Sequence, residues 1–76
     1  MTKLEQEFID FVADILEVPA DGISLNTAYG SIPQWDSVMQ LRLTLEIGGK
    51  YGVEIPMKEV FEIKTLADFF KYLNKR

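Results

Sequence analysis

The sequence predicts an all-α domain, a small four-helix bundle with a long loop between its first and second helices and a short third helix. Three observations predict it. Apolar residues near each end of the chain recur at the helical period. Each of those runs opens on a threonine followed three residues later by an acid, Thr2 with Glu5 and Thr65 with Asp68, the signature of a capped helix start. No two stretches alternate well enough to pair as strands, and a lone strand could not satisfy its backbone.

The first helix spans residues 3–17. Leu4, Phe8, Phe11, Val12, Ile15 and Leu16 fall at i, i+4, i+7, i+8, i+11 and i+12, an amphipathic stripe. Glu7, Asp10, Asp14 and Glu17 take the solvent side, and Pro19 and Gly22 are expected to stop the helix. Residues 18–36 follow as a connection with two prolines, two glycines and an Asn-Thr pair. Loops beyond about 12–15 residues are uncommon in compact domains unless functional or internally packed. Ile23, Leu25, Tyr29 and Ile32 are the residues available to tie this one down.

The second helix is the ambiguous element. From Leu41 to Ile47 the chain alternates apolar and polar residues, as a half-buried strand would. Wound as a helix over 37–51, the same residues form two apolar arcs, one of Met39, Leu43, Ile47 and Tyr51, the other of Val38, Leu41 and Leu45. Arg42, Glu46 and Lys50 form an i, i+4, i+8 charge ladder between them. With no partner strand available, the helix is the consistent reading. One arc faces the core, and the other stays partly exposed, as interaction surfaces do. Gly48 and Gly49 lie in the last turn, where each costs about 1 kcal/mol against alanine. A frayed or bent end is expected, and a melting temperature raised by alanine at both, unless close backbone approach requires glycine.

Gly52 is a natural terminator for that helix. Ile55, before proline, should be extended, and Pro56 can open a short third helix to about Glu62. Leu66, Phe69, Phe70 and Leu73 then give i, i+3, i+4 and i+7 for the closing helix. With no repeat and no linker, residues 1–76 read as a single domain.

Composition removes several function classes. Apolar content of 47% with 26% charged residues belongs to a folded chain. Cysteine and histidine are both absent, which removes the usual nucleophile, the usual general base and the commonest transition-metal ligands. An enzyme is not expected, nor a metal site. The net charge of −4 disfavours nucleic acid, because phosphate neutralisation needs a basic face. The charge is uneven: residues 1–36 carry one lysine against seven acids, and residues 37–76 carry seven basic residues against five acids. No apolar run approaches the ~20 residues of a membrane span, and the start lacks a secretion pattern. A cytoplasmic monomer is the expectation.

Ser37 admits two readings. As a cap it is well placed, since Ser-Val-Met-Gln (37–40) fits a capping box, and Asp36 could cap equally well. Alternatively its hydroxyl stands at a helix N-terminus, where free N–H groups and the dipole favour a phosphate. Helix physics alone favours the cap.

The chain as a whole resembles the acyl carrier proteins. Asp36-Ser37-Val38 matches the family's Asp-Ser-apolar motif, Tyr51 follows fourteen residues after the serine, and Val-Glu-Ile-Pro occupies 53–56 in register. The order of helices agrees over essentially all 76 residues. The resemblance implies that Ser37 receives a 4′-phosphopantetheine arm from coenzyme A, transferred by a separate Mg²⁺-dependent phosphopantetheinyl transferase, with Asp36 supporting. The arm's thiol would hold acyl or aminoacyl intermediates as thioesters, which explains the missing cysteine. The same resemblance makes Val38, Leu41, Arg42 and Leu45 a docking face for loading and condensing enzymes. It makes Met39, Leu43, Ile47, Ile55, Phe61 and Ile63 an interior that could line an acyl pocket. Plain core packing also accounts for those residues, and for Leu43 and Ile47 it is the better account.

The sequence departs from the family's usual pattern in two ways. Its second helix carries Arg42, Glu46 and Lys50 where family members are commonly strongly acidic. Trp35 directly precedes Asp-Ser, as in carriers outside core fatty-acid synthesis, although a packed loop anchor explains the tryptophan as well. Both hint at a specialised carrier with its own enzymes. The alternative is a helical interaction module that lacks the prosthetic group and uses the exposed apolar arc.

Overall fold

The computed structural model describes residues 2–73. Three α-helices, α1 (Lys3–Leu16), α2 (Ser37–Tyr51) and α3 (Leu66–Leu73), pack around one apolar core. Two 3-10 helices join them, η1 (Ala20–Gly22) and η2 (Met57–Glu62). The short third helix of the expected bundle is η2, and its fourth is α3. The alternation in 41–47 belongs to a helix, and no strand forms among the described residues.

Thr2 caps α1 as its sequence predicts: its Oγ1 accepts from the Glu5 N–H at 3.1 Å, while Glu5 Oε1 accepts from the Thr2 N–H at 3.3 Å. The far end differs from expectation. The chain reverses at Glu17, whose φ of 59° is left-handed, and the Val18 N–H closes back on the Ala13 carbonyl. A non-glycine residue bears a cost of about 1–2 kcal/mol there. Pro19 and Gly22 lie beyond the reversal and bound η1 instead. The buried stripe also includes Ile9 and Ala13, whereas Leu4 is 37% exposed, because the first turn of α1 extends past the core.

The long connection is held by hydrogen bonds rather than left loose. Leu66 and Ala67 donate their N–H groups to the carbonyls of Thr27 and Leu25, and Tyr29 donates to the Lys64 carbonyl at 2.7 Å. The first-turn donors of α3 therefore find acceptors in the loop. Ile23 is buried, and Leu25, Tyr29 and Ile32 pack against the core, as expected. Thr65 and Asp68 form a reciprocal cap at the same place: the Asp68 N–H donates to Thr65 Oγ1, and Asp68 Oδ2 accepts from the Lys64 and Thr65 amides. Tyr72 of α3 donates its hydroxyl to Glu59 of η2, which, with burial, pushes the phenol up to about 12.

At the end of α2, Gly52 takes a left-handed φ of 65°. The helix continues through both interior glycines to Tyr51. Gly48 is there for space, since a Cβ on it would stand 3.0 Å from the Val53 carbonyl oxygen, while one on Gly49 would meet nothing. No helix among the described residues is long and apolar enough to cross a membrane.

Two predictions follow from these ends. Gly49→Ala should stabilise by up to about 1 kcal/mol, a rise of about 4–8 °C in melting temperature. Gly48→Ala should gain less or lose stability, so thermal melts of the single variants should separate where the sequence alone groups them. The Lys64 amide, followed by weaker partners, holds the Asp68 carboxyl below the usual carboxylate range, with burial opposing. A lowered folded value adds stability that is full above the unfolded pKa and is lost as pH falls through the folded one. Asp68→Asn should therefore melt below wild type near neutral pH, with the gap closing in acid.

Candidate functional site

The site is built at the start of α2. Asp36 is extended, with φ −106° and ψ −171°, and its Oδ1 accepts from the Met39 N–H at 2.9 Å. Asp36 is therefore the N-cap and Ser37 the first helical residue. The capping box expected from Ser37 and Gln40 does not form. Two features prevent it: the aspartate one position earlier already holds the cap, and Gln40 is turned into the core, fully buried. The Ser37 side chain is exposed, and its hydroxyl has no hydrogen-bond partner among the described residues.

The segment that delivers Ser37 is anchored from behind. Trp35 is completely buried, edge-on to Tyr29 at 6.0 Å between centroids and stacked near Phe69 at 6.4 Å. Its backbone N–H donates to the Ile32 carbonyl, and its own carbonyl accepts from Gly30. The tryptophan is thus a packed loop anchor. Beside the serine, the N–H groups of Ser37 and Val38 have no acceptor among the described residues, so the helix start offers donors to an anion tethered there. An exposed hydroxyl with open amides and no competing bond fits a phosphodiester on Ser37.

The sequence matches the family described as "Phosphopantetheine attachment site" over residues 6–73. It is also 32% identical over 74 residues to proteins named acyl carrier protein from Rickettsia massiliae (strain Mtu5) and Rickettsia typhi (strain ATCC VR-144 / Wilmington). The one from Rickettsia canadensis (strain McKiel) is 31% identical. Each alignment covers 97% of this chain and 86% of the relative. The chain belongs to the acyl carrier protein family. As a family member it is a carrier and not a catalyst, and its prosthetic group is a covalently held 4′-phosphopantetheine. Its partners accordingly include a phosphopantetheinyl transferase and acyl-handling enzymes.

On this carrier, the outer arc of α2 is open: Val38 is 73% exposed, Leu45 71% and Leu41 39%. Arg42 stands among them but is paired with Glu46 at 3.3 Å, so its charge is partly met within the helix. The inner arc behaves oppositely. Leu43 and Ile47 are fully buried, Ile63 nearly so, and Met39 and Ile55 pack half-buried against them. Phe61 departs from the expected interior set. It is 51% exposed, because η2 turns it outward to wall a shallow cleft of about 90 Å³ with Tyr29, Gln40, Ile63 and Lys64. Sequence reasoning missed Gln40 and Thr44, both buried on α2, since polar residues on a helix default to solvent. The only advance sign for Gln40 was its place in line with the inner arc.

The division of labour at the cap yields a direct test. Ser37→Ala should change stability by less than about 0.5 kcal/mol, whereas Asp36→Ala should cost about 0.5–2 kcal/mol. Denaturant titration of both variants distinguishes this from a capping serine, which would reverse the order.

Proposed function

We propose that Ser37 is the residue that takes the 4′-phosphopantetheine arm, and that this chain is a carrier of acyl or aminoacyl thioesters in the cytoplasm. The observation that carries the proposal is the hydroxyl freed by Asp36: exposed, unbonded, at the first helical position and beside open amides. When bound, the arm supplies a thiol that this cysteine-free chain lacks. The chain's own contribution is to fix the serine in space and to show a surface by which enzymes know it.

Val38, Leu41, Arg42 and Leu45 form that surface in this reading, lying within eight residues of Ser37 on the exposed side of α2. Its apolar area is unusual for a helix in water and suits burial against loading and condensing enzymes. Met39, Leu43, Ile47, Ile55 and Ile63 are the interior that a short acyl chain would have to part. They are close-packed, so shelter of cargo there requires the core to open. The Arg42–Glu46 pair in place of a run of acids supports a specialised carrier, matched to enzymes that do not rely on a basic docking patch.

Incubation with coenzyme A, Mg²⁺ and a promiscuous phosphopantetheinyl transferase should add one arm's mass to the wild-type chain and none to Ser37→Ala. Intact-mass spectrometry reads both. Modification of the alanine variant, or a wild type that gains nothing, would sink the assignment.

A further inference from the structure

Gln40 is the one fully buried polar side chain in the core among the described residues, and each hydrogen bond of its side chain joins two different parts of the molecule. Its Oε1 accepts from Trp35 Nε1 at 2.7 Å. Its Nε2 donates to the Val60 carbonyl at 2.7 Å and to the Ile63 carbonyl at 3.1 Å. An indole N–H on one side and two carbonyls on the other permit only one orientation of the amide. The backbone N–H of Gln40 meanwhile closes on the Asp36 carbonyl at 2.9 Å. One residue thus grips Trp35 and Asp36, the two residues leading into Ser37, and ties both to the end of η2.

Packing does not require this arrangement. A buried amide must have its polar atoms matched, and an apolar residue of the same shape needs no match. What the amide provides is direction, because its bonds hold at one distance and one angle while apolar contacts tolerate sliding. We propose that Gln40 is a positioning residue for the modification of Ser37, locking Trp35 and the Asp36–Ser37 peptide to the end of η2 so that the hydroxyl meets the transferase in one fixed geometry. The proposal rests on Ser37 being the attachment residue. Gln40 touches neither the hydroxyl nor the incoming phosphate, and acts through Trp35 and the start of α2.

The test compares Gln40→Met, which keeps length and loses the polar atoms, with Trp35→Phe, which keeps an aromatic ring but loses the N–H donor together with part of the buried indole. Ile9→Val, a core change on α1, is the control for lost stability. Each folded variant serves as substrate for a promiscuous phosphopantetheinyl transferase with coenzyme A, and kcat and KM for the carrier are read by intact mass. Loss of fixed geometry should lower kcat by about tenfold or more in both latch variants. KM should hold, since the exposed arc of α2 is untouched, and the double variant should be no slower than the slower single. Ile9→Val should keep the wild-type kcat. In Gln40→Met the indole N–H resonance of Trp35, the only tryptophan, should move and exchange faster.

Wild-type kcat in both latch variants, or an equal loss in Ile9→Val, overturns the proposal. If Gln40→Met does not fold, Trp35→Phe alone decides by the same criterion. A wild type that takes no arm at Ser37 removes the attachment reading and the proposal together. The wild-type mass separates that result from failure of the latch alone.

Discussion

A single hydrogen bond, from the Met39 amide to the Asp36 carboxylate, decides what the rest of this molecule can do. A helix start must find acceptors for its free N–H groups, and the nearest small polar side chain usually supplies one. Here two candidates stand side by side. Because the aspartate takes the role, the serine contributes nothing to holding the helix, and its hydroxyl is free for another use. Had the cap slipped by one residue, the same dipeptide would have spent its serine on the backbone. The Asp-Ser pair therefore has a structural logic apart from any partner: one residue closes the helix so that the next is available.

That arrangement needs the preceding chain to arrive in one place, and the connection 17–36 is built to ensure it. A loop of this length would ordinarily wander, at a cost in entropy that a small domain tolerates poorly. Its carbonyls at Leu25 and Thr27 are acceptors for the first turn of α3, so loop and helix each satisfy the other's backbone. The Tyr29–Lys64 bond and the buried Trp35 complete the attachment. The last helix is thus a scaffold for the loop, and the loop in turn is a scaffold for Ser37.

Much of this was legible in the residues, though not all. The stripe of α1, the caps at Thr2 and Thr65, the glycine end of α2 and the two-arc reading of 37–51 follow from local periodicity and capping chemistry, which the sequence carries directly. What it does not carry is which of two adjacent residues wins one acceptor role, or which polar residue turns inward. Ser37 with Gln40 fitted a capping box on paper, yet Gln40 is drawn into the core by Trp35 and by carbonyls 20 and 23 residues away. The family resemblance implied an interior position for Phe61, and η2 turns it out. Of the two outcomes open for the glycine pair, softness or close backbone approach, Gly48 takes the second, as clearance for the Val53 carbonyl. The Gln40 correction comes from carbonyls far along the chain, and those at Gly48 and Phe61 from local backbone geometry that side-chain periodicity does not encode.

The two ends of α2 are held by different physics. At its start, directional bonds dominate: a carboxylate cap, a matched buried amide and a fully enclosed indole. At its finish the helix closes on the backbone, with the Gly52 and Val53 amides both donating to the Gly48 carbonyl. Two glycines occupy the last turn, and Tyr51 is buried by Phe8 and Phe11 with its hydroxyl lacking a hydrogen-bond partner among the described residues. Burial and the nearby Glu7 raise that phenol's pKa, the sign of a polar atom held where neither charge nor bonding suits it. Lys50 lies over both the Phe11 and Tyr51 rings, at 5.1 and 5.7 Å from their centroids, a non-directional contact that tolerates movement. Directional side-chain bonds are therefore concentrated beneath Ser37. In the proposed reading, a carrier that offers Ser37 to its enzymes is served by side-chain bonds gathered where that residue is held.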